Sequence, residues 1–252
     1  MQIKQAAVLV SGGASGLGEA TVKKLSKIGA KVAILDRNLS RAQEVARKTG
    51  AIALNCDVTD EKSIQSALNE AQEKQGIAKI CINCAGIVQA KRMVGREGPL
   101  PLNEFEQVIK INLIGTFNLM RLAAAAMVNT PPDSQGNRGL IVNTASIAAF
   151  EGQIGQVAYS ASKGGVVAMT LPAARELARF GIRVMAIAPG LVDTPMFSIL
   201  PADAKKTLAE SVPFPKRLAS PDEFASLVQH IIENDMLNGS VIRLDGALRM
   251  GA

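Results

Sequence analysis

Ala6-Ala-Val-Leu-Val-Ser-Gly-Gly-Ala-Ser-Gly-Leu-Gly18 runs five apolar residues straight into a glycine-rich turn. A run with no in/out alternation is what a strand covered on both faces looks like. The segment that follows, Gly18–Ile28, has helical period. Strand, glycine turn and helix in that order present backbone N–H groups at a helix N-terminus to an anion: glycine adopts positive φ, and no Cβ blocks the approach of a phosphate. The spacing of Gly12, Gly16 and Gly18 is G-x-x-x-G-x-G and not the commoner G-x-G-x-x-G. A second apolar run, Lys31–Leu35, ends on Asp36, 18 residues beyond Gly18. A carboxylate at that separation accepts hydrogen bonds from an adenosine ribose. It repels a 2′-phosphate and so favours NAD over NADP, whereas Arg37 beside it offers a guanidinium that pairs with that phosphate.

Further runs of the same kind recur at Ala51–Asn55, Lys79–Asn83, Leu140–Asn143, Arg183–Ile187 and Val241–Leu244. Between them lie segments of helical period at Arg41–Lys48, Glu61–Gln75, Asn103–Val128, Val157–Phe180 and Pro221–Glu233. Ser220-Pro221-Asp222-Glu223 carries an N-cap serine, a first-position proline and the glutamate of a capping box; Asn103 with Glu106 reads the same way. Strand–helix alternation along the whole chain predicts an α/β fold: one domain over residues 1–252, with a doubly wound parallel sheet of about seven strands and helices on both faces. Lys91–Leu102 and Asn129–Gly139 read as surface insertions. Asp57, after the third strand, is placed to accept the adenine amino group or to cap the next helix. Asn83-Cys84-Ala85-Gly86, after the fourth, ends in residues small enough for a cofactor to lie against the backbone.

Composition narrows the partners. The chain has 252 residues, with 28 Lys plus Arg against 22 Asp plus Glu, a net charge of +6. Its basic residues are scattered and it has no Trp and one Tyr, so there is little surface on which nucleic-acid bases could stack, and none is expected as a partner. An anionic cofactor or substrate suits the charge. The longest apolar run, Leu122–Val128, is seven residues, far short of the roughly 18 of a membrane span. Ala6–Val10 is too short for a signal-peptide core. The chain is therefore expected to be soluble and cytoplasmic, or in the mitochondrial matrix if eukaryotic. Cys81-Ile-Asn-Cys84 falls in a strand, where positions i and i+3 point to opposite faces, and a zinc site would have to recruit Cys56 and the single His230 from far away. The cysteines read as buried small hydrophobes, and no metal is expected.

The only tyrosine, Tyr159, precedes Lys163 by four residues, which on a helix puts both on one face. An ammonium nearby stabilises a phenolate and draws its pKa down from about 10. Such a tyrosine serves as general acid to a carbonyl or general base to an alcohol. Ser146, 13 residues earlier and just past the fifth strand, is placed to hydrogen-bond the same substrate oxygen. Asn112, polar within an apolar helix, reads either as a surface or back-bonded residue or as a helix irregularity holding a water between solvent and Lys163.

Ser11-Gly12…Gly16-x-Gly18, Asp57, Asn83-Cys-Ala-Gly86, Asn112, Ser146, Tyr159-x-x-x-Lys163 and Pro189-Gly190 occur in order along nearly the whole chain, and the sequence resembles the short-chain dehydrogenase/reductase family. It departs mildly from the family pattern in having Ser11 for Thr and Cys84 for the second Asn. Within the family, Ile141–Arg183, Val212-Pro-Phe-Pro215 and Asn238–Gly246 are similar to the type-2 3-hydroxyacyl-CoA dehydrogenases, with Asp36-Arg37-Asn38 and Lys91–Leu100 less so.

The resemblance implies a single-domain Rossmann fold and a catalytic tetrad of Asn112, Ser146, Tyr159 and Lys163. It implies a nicotinamide cofactor held by Ser11, Gly12, Ser15, Gly16, Leu17 and Gly18 of the turn and by Asp36, then by Asp57 and Val58 and by Asn83, Ala85 and Gly86. Tyr159 and Lys163 would meet the nicotinamide ribose, and Pro189, Gly190, Val192 and Thr194 the carboxamide side. Implied too are interconversion of a (3S)-3-hydroxyacyl-CoA and a 3-oxoacyl-CoA with NAD, a lid over residues 193–216, and a homotetramer joined through Asn103–Val128 and Val157–Phe180. Acyl-carrier-protein reduction and hydroxysteroid oxidation are the alternative activities. Lys91, Arg92, Lys205 and Lys206 are candidates for CoA phosphates.

Overall fold

The computed structural model describes residues 1–195 and 201–251. Seven strands form one parallel sheet: β1 (Ala7–Ser11), β2 (Lys31–Asp36), β3 (Ile52–Asn55), β4 (Ile80–Asn83), β7 (Gly139–Thr144), β8 (Ile182–Pro189) and β9 (Val241–Leu244). Their order is β3-β2-β1-β4-β7-β8-β9, with a separate two-stranded hairpin of β5 (Val94–Gly95) and β6 (Gly98–Pro99). The continuous apolar runs follow from the two-sided cover. Val8 and Val10 pack into the core that includes Val22, Leu25, Phe224 and Val228, while Leu9 between them faces the core of Leu54, Ile64, Leu119 and Met127. Each such side chain contributes about 1.5–3 kcal/mol relative to leaving it exposed.

The helices are α1 (Gly16–Ile28), α2 (Leu39–Thr49), α3 (Glu61–Gln75), α4 (Leu102–Ile109), α5 (Gly115–Val128), α6 (Val157–Ala178), α7 (Ala202–Ser211) and α8 (Pro221–Glu233). α8 begins with the expected capping box: Ser220 Oγ accepts the Asp222 N–H at 3.2 Å, and Glu223 accepts the Ser220 N–H at 2.8 Å. The expected cap at Asn103 is not formed. α4 starts one residue earlier behind Pro101, whose φ of −56° already suits a helix, and no side chain caps it. α6 runs through Pro172 and ends at Ala178, two residues short of the expected Phe180.

α4 and α5 are joined by a π-helical turn, Lys110–Ile114, into one continuous helical stretch. Residues 102–128 are long and apolar enough to cross a membrane by length and composition alone, which a count of uninterrupted apolar residues does not detect. Half of its apolar window is buried inside the protein, where Leu119, Met120, Ala123 and Met127 face the sheet. The hairpin and α7 are additions to the sequence reading. Of the expected lid, residues 196–200 lie outside the described residues. The order of strands reverses between β1 and β4, so the crevice beyond the carboxyl ends of these two is where a ligand of this fold sits.

Candidate functional site

The glycine turn is built from close approaches. Gly12 has φ +64°, and a Cβ on it would lie 2.7 Å from the Ala85 nitrogen, so the turn rests directly on the backbone after β4. A Cβ on Gly18 would meet the Gly12 carbonyl oxygen at 2.1 Å, which only glycine avoids. Ser15, extended and exposed, is the N-cap of α1 and makes no side-chain cap. The first-turn N–H groups of Gly16, Leu17 and Gly18 are therefore left uncapped at the positive end of the helix dipole. That cradle fits the pyrophosphate of a dinucleotide. Across it, a Cβ on Gly16 would sit 3.6 Å from the Thr194 side chain, so Thr194 closes over the turn. Val192 is buried and bridges to Ala219. Gly190 follows Pro189 and donates its N–H to the Leu244 carbonyl at 2.9 Å.

Asp36 ends β2 with its carboxylate fixed by the N–H groups of Ala14, at 3.1 Å, and Asn38, at 2.9 Å. Lone pairs on both oxygens remain for ribose hydroxyls. Asp57 is likewise organised, one oxygen accepting from the backbone and hydroxyl of Thr59, both at 2.8 Å. Those bonds hold its carboxyl below the usual range. It does not cap α3; Asp60 does. Val58 packs its buried side chain against Gly115, and its carbonyl accepts from Asn118 at 3.3 Å.

Two expected cofactor residues turn their side chains inward. Ser11, Asn83 and Asn143 occupy one register across β1, β4 and β7. Ser11 Oγ donates to Asn83 Oδ1 at 3.4 Å and accepts the Ala85 N–H at 3.3 Å, while Asn83 Nδ2 donates to Asn143 Oδ1 at 2.8 Å. This buried polar ladder laces the strand ends at the point where the crevice opens. The sequence signal for Asn143 was a polar residue ending an apolar run.

The four expected catalytic residues come together. Ser146 caps a short 3-10 turn, Ile147–Ala149, its hydroxyl accepting the Ala148 N–H at 3.1 Å. The same hydroxyl stands close enough to the Tyr159 phenol to act on its pKa. Lys163 Nζ, buried, lies 5.9 Å from the centre of the Tyr159 ring and donates to the Thr144 carbonyl at 2.7 Å. Asn112 sits in the π-helical turn, so the irregularity is present, yet its side chain is fully engaged. It accepts the Ile87 N–H at 2.8 Å and donates to the Ile87 carbonyl at 2.9 Å and to Ser162 Oγ at 3.1 Å. Asn112 thus pins the loop after β4 to α6. Gly86 is the point of closest approach, where a Cβ would lie 3.2 Å from Asn112 Oδ1 and 3.6 Å from Lys163 Nζ.

Burial dominates the electrostatics of the site. It pushes the Tyr159 phenol up, and the Ser146 hydroxyl opposes it. Burial also brings Lys163 down, to about 8. Its ammonium is directed onto the Thr144 carbonyl. A lysine of pKa about 8 folded and about 10.4 unfolded binds fewer protons when folded between those values. Its contribution to stability therefore rises with pH across that window. Denaturant unfolding of the wild type and a Lys163→Met variant is expected to show the wild type gaining on the variant from pH 8 to pH 10; a difference that stays flat refutes the depressed lysine.

Burial pushes the thiols of Cys56 and Cys81 up to about 12 and that of Cys84 to about 11, as expected of inert packing groups. Among the described residues no cluster of three His, Cys, Asp or Glu is arranged to hold a metal. Of the residues considered for CoA phosphates, Lys91 pairs with Glu104 at 2.7 Å and Lys205 with Asp193 at 3.7 Å; Arg92 and Lys206 are exposed.

Comparison with known proteins gives a consistent picture. Residues 6–205 match the profile described as short chain dehydrogenase. The chain is 52% identical over 252 residues to 3-hydroxyacyl-CoA dehydrogenase type-2 of Bos taurus, covering 98% of this chain and 97% of that one. The crystal structure of 3-hydroxyacyl-CoA dehydrogenase type-2 from Mycobacterium avium superposes with a TM-score of 0.93 at 42% identity, covering 98% of this chain and 96% of the other. That of 3-ketoacyl-(acyl-carrier-protein) reductase from Brucella melitensis, complexed with NADH, gives 0.87 at 28% identity over 99% and 100% of the two chains.

Proposed function

The chain belongs to the short-chain dehydrogenase family and is a dehydrogenase acting on CH–OH donors, and from that premise we propose that it interconverts (3S)-3-hydroxyacyl-CoA and 3-oxoacyl-CoA with NAD. The observation that carries the reading is the assembly of Ser146, Tyr159 and Lys163 beside Gly86, at the mouth of a crevice shaped for a dinucleotide. The bound nicotinamide supplies or accepts the hydride. Tyr159 Oη takes the proton of the substrate hydroxyl in oxidation and returns it to the carbonyl oxygen in reduction. Ser146 Oγ holds that oxygen in line. Lys163 would hold the nicotinamide ribose, and its bond to the Thr144 carbonyl ties α6 to the end of β7. Asn112 keeps Ile87 and Ser162 in place, with a water relay from solvent to Lys163 passing its π-helical turn. Val192 and Thr194 would hold the carboxamide end of the cofactor.

Asp36 supports NAD over NADP. Its carboxylate is held at the end of β2 by two N–H groups, so it cannot swing away from a 2′-phosphate without giving them up. A homotetramer belongs to the same proposal, supported by the exposed apolar side chains Ile114 and Phe117, around and on α5, and Val157 and Leu171 of α6. NADH oxidation with acetoacetyl-CoA, paired with an NADPH control and a mass by light scattering, tests all of this. Rapid turnover with NADH and little with NADPH is expected. NADH binding without turnover removes the acyl-CoA assignment, and a clear NADPH preference removes the reading of Asp36 and favours acyl-carrier-protein reduction.

A further inference from the structure

Arg243 lies on β9 with Ala188 as its partner across the sheet, immediately before the Pro189–Gly190 turn. Its guanidinium is engaged all round. Nη1 and Nη2 fork onto the Glu151 carboxylate at 2.7 and 2.9 Å, Nε donates to Asp245 at 2.6 Å, and Nη2 also donates to the Leu248 carbonyl at 3.0 Å. Its plane lies over Phe150, 5.2 Å from the ring centre. Arg249 backs the cluster, 3.4 Å from Glu151 and 3.2 Å from Asp245.

The two carboxylates belong to the two loops that flank the reacting centre. Glu151 ends the loop that Ser146 opens, its N–H bonded to the Ile147 carbonyl at 3.0 Å. Asp245 stands against Gly190, where a Cβ would come within 2.9 Å of the Asp245 Cα. One guanidinium therefore joins the carboxyl ends of β7 and β8. The groups are partly shielded, with side-chain exposures of 21% for Arg243, 25% for Glu151 and 8% for Asp245, so the pairs are stronger than exposed ones. The planar fork is what allows simultaneous engagement of two carboxylates in fixed geometry, which a lysine cannot reproduce.

We infer that Arg243 is a positioning residue for the dehydrogenase reaction, holding the Ser146 loop and the Gly190 turn in mutual register through Glu151 and Asp245. The inference rests on the roles assigned above to Ser146 and Tyr159. A misplacement of about 1 Å costs up to about 100-fold in rate. Arg243→Met, which keeps the apolar stem, is expected to lower kcat about tenfold, and Arg243→Lys to recover only part of it. On a Ser146→Ala background the same Arg243→Met change is expected to cost less than about twofold, because the group it positions is gone. Glu151→Gln, isosteric, is expected to act in the same direction more weakly.

Amide hydrogen exchange at Ala148, Phe150 and Glu151 supplies a readout independent of substrate: it is expected to accelerate in Arg243→Met. Unchanged exchange at these amides overturns the proposal, as does a kcat loss that recurs in full on the Ser146→Ala background. If the wild type fails to turn over acetoacetyl-CoA, the substrate assignment fails, while the exchange result still decides the role of Arg243.

Discussion

In a Tyr159→Phe variant kcat falls by roughly 10²–10⁴-fold, the range for loss of a positioned general acid or base, and NADH still binds. Phenylalanine keeps the ring that packs in the site and removes only the Oη that moves the proton. The Lys163 bond to Thr144 and the Asn112 bonds to Ile87 do not involve that oxygen, so the ribose side of the site survives. The state of the phenol also sets the pH dependence. Burial raises it and the Ser146 hydroxyl only opposes that, so at neutral pH Tyr159 carries its proton. Carbonyl reduction needs that proton and is expected to be fastest at neutral pH and to fall in the alkaline range. Alcohol oxidation needs the phenolate and is expected to rise with pH over the same range. Steady-state kinetics in both directions with a fluorescence titration of NADH measure all three quantities. A variant with kcat within a few-fold of the wild type takes Tyr159 out of the chemistry.

What the sequence disclosed and what it withheld divide along a physical line. The glycine turn was legible because its constraint is steric and local: Gly12 takes positive φ, and at Gly18 no other residue fits against the Gly12 carbonyl. Tyr159 and Lys163 were legible because four residues on a helix give one face. The capping box of α8 was legible because its partners are three residues apart. Asn103 misled for a local reason too, since Pro101 had already set the helix start.

The features that stayed hidden depend on strand register and on burial. Ser11, Asn83 and Asn143 form a ladder only because three strands align those positions. Asn112 reads as an isolated polar residue until Ile87 and Ser162 are brought to it. Arg243 and Glu151 are 92 residues apart in the chain. The depressed Lys163 follows from complete burial, which the spacing to Tyr159 does not reveal.

Burial also underlies the largest expected loss of stability, at Arg183→Met, about 2–6 kcal/mol for two orphaned carbonyls. Arg183 is on β8, buried, beneath the C-terminal end of α8. Its Nη1 donates to the carbonyls of Ile231 at 3.0 Å, Asn234 at 3.3 Å and Leu237 at 2.7 Å. Nη2 donates to the Ile232 carbonyl at 3.1 Å and to Asp235 at 3.3 Å. The helix itself leaves its last carbonyls without donors, and here the Arg183 guanidinium supplies them, joined at Ile232 by the Met1 ammonium. Methionine fills much the same volume and supplies none, so the Ile231 and Leu237 carbonyls are orphaned at about 1–3 kcal/mol each before relaxation, while Ile232 keeps the Met1 ammonium and Asn234 the Leu237 N–H. Against a typical total of about 5–15 kcal/mol this is a large fraction. Arg183→Lys is expected to restore less than half, because a single ammonium cannot span both the helix end and Leu237.

Urea unfolding gives the loss directly, and a decrease below about 1 kcal/mol would show that water replaces the guanidinium at the helix end. The same titration with NADH separates stability from binding. α8 packs on α1, whose N-terminus forms the anion cradle, but Arg183 lies at the opposite end of the sheet from the glycine turn. Saturating NADH is therefore expected to stabilise the wild type and Arg183→Met by the same increment, set only by ligand concentration and affinity. A smaller increment in the variant would mean that loss of the helix cap is transmitted through α8 to the cofactor site.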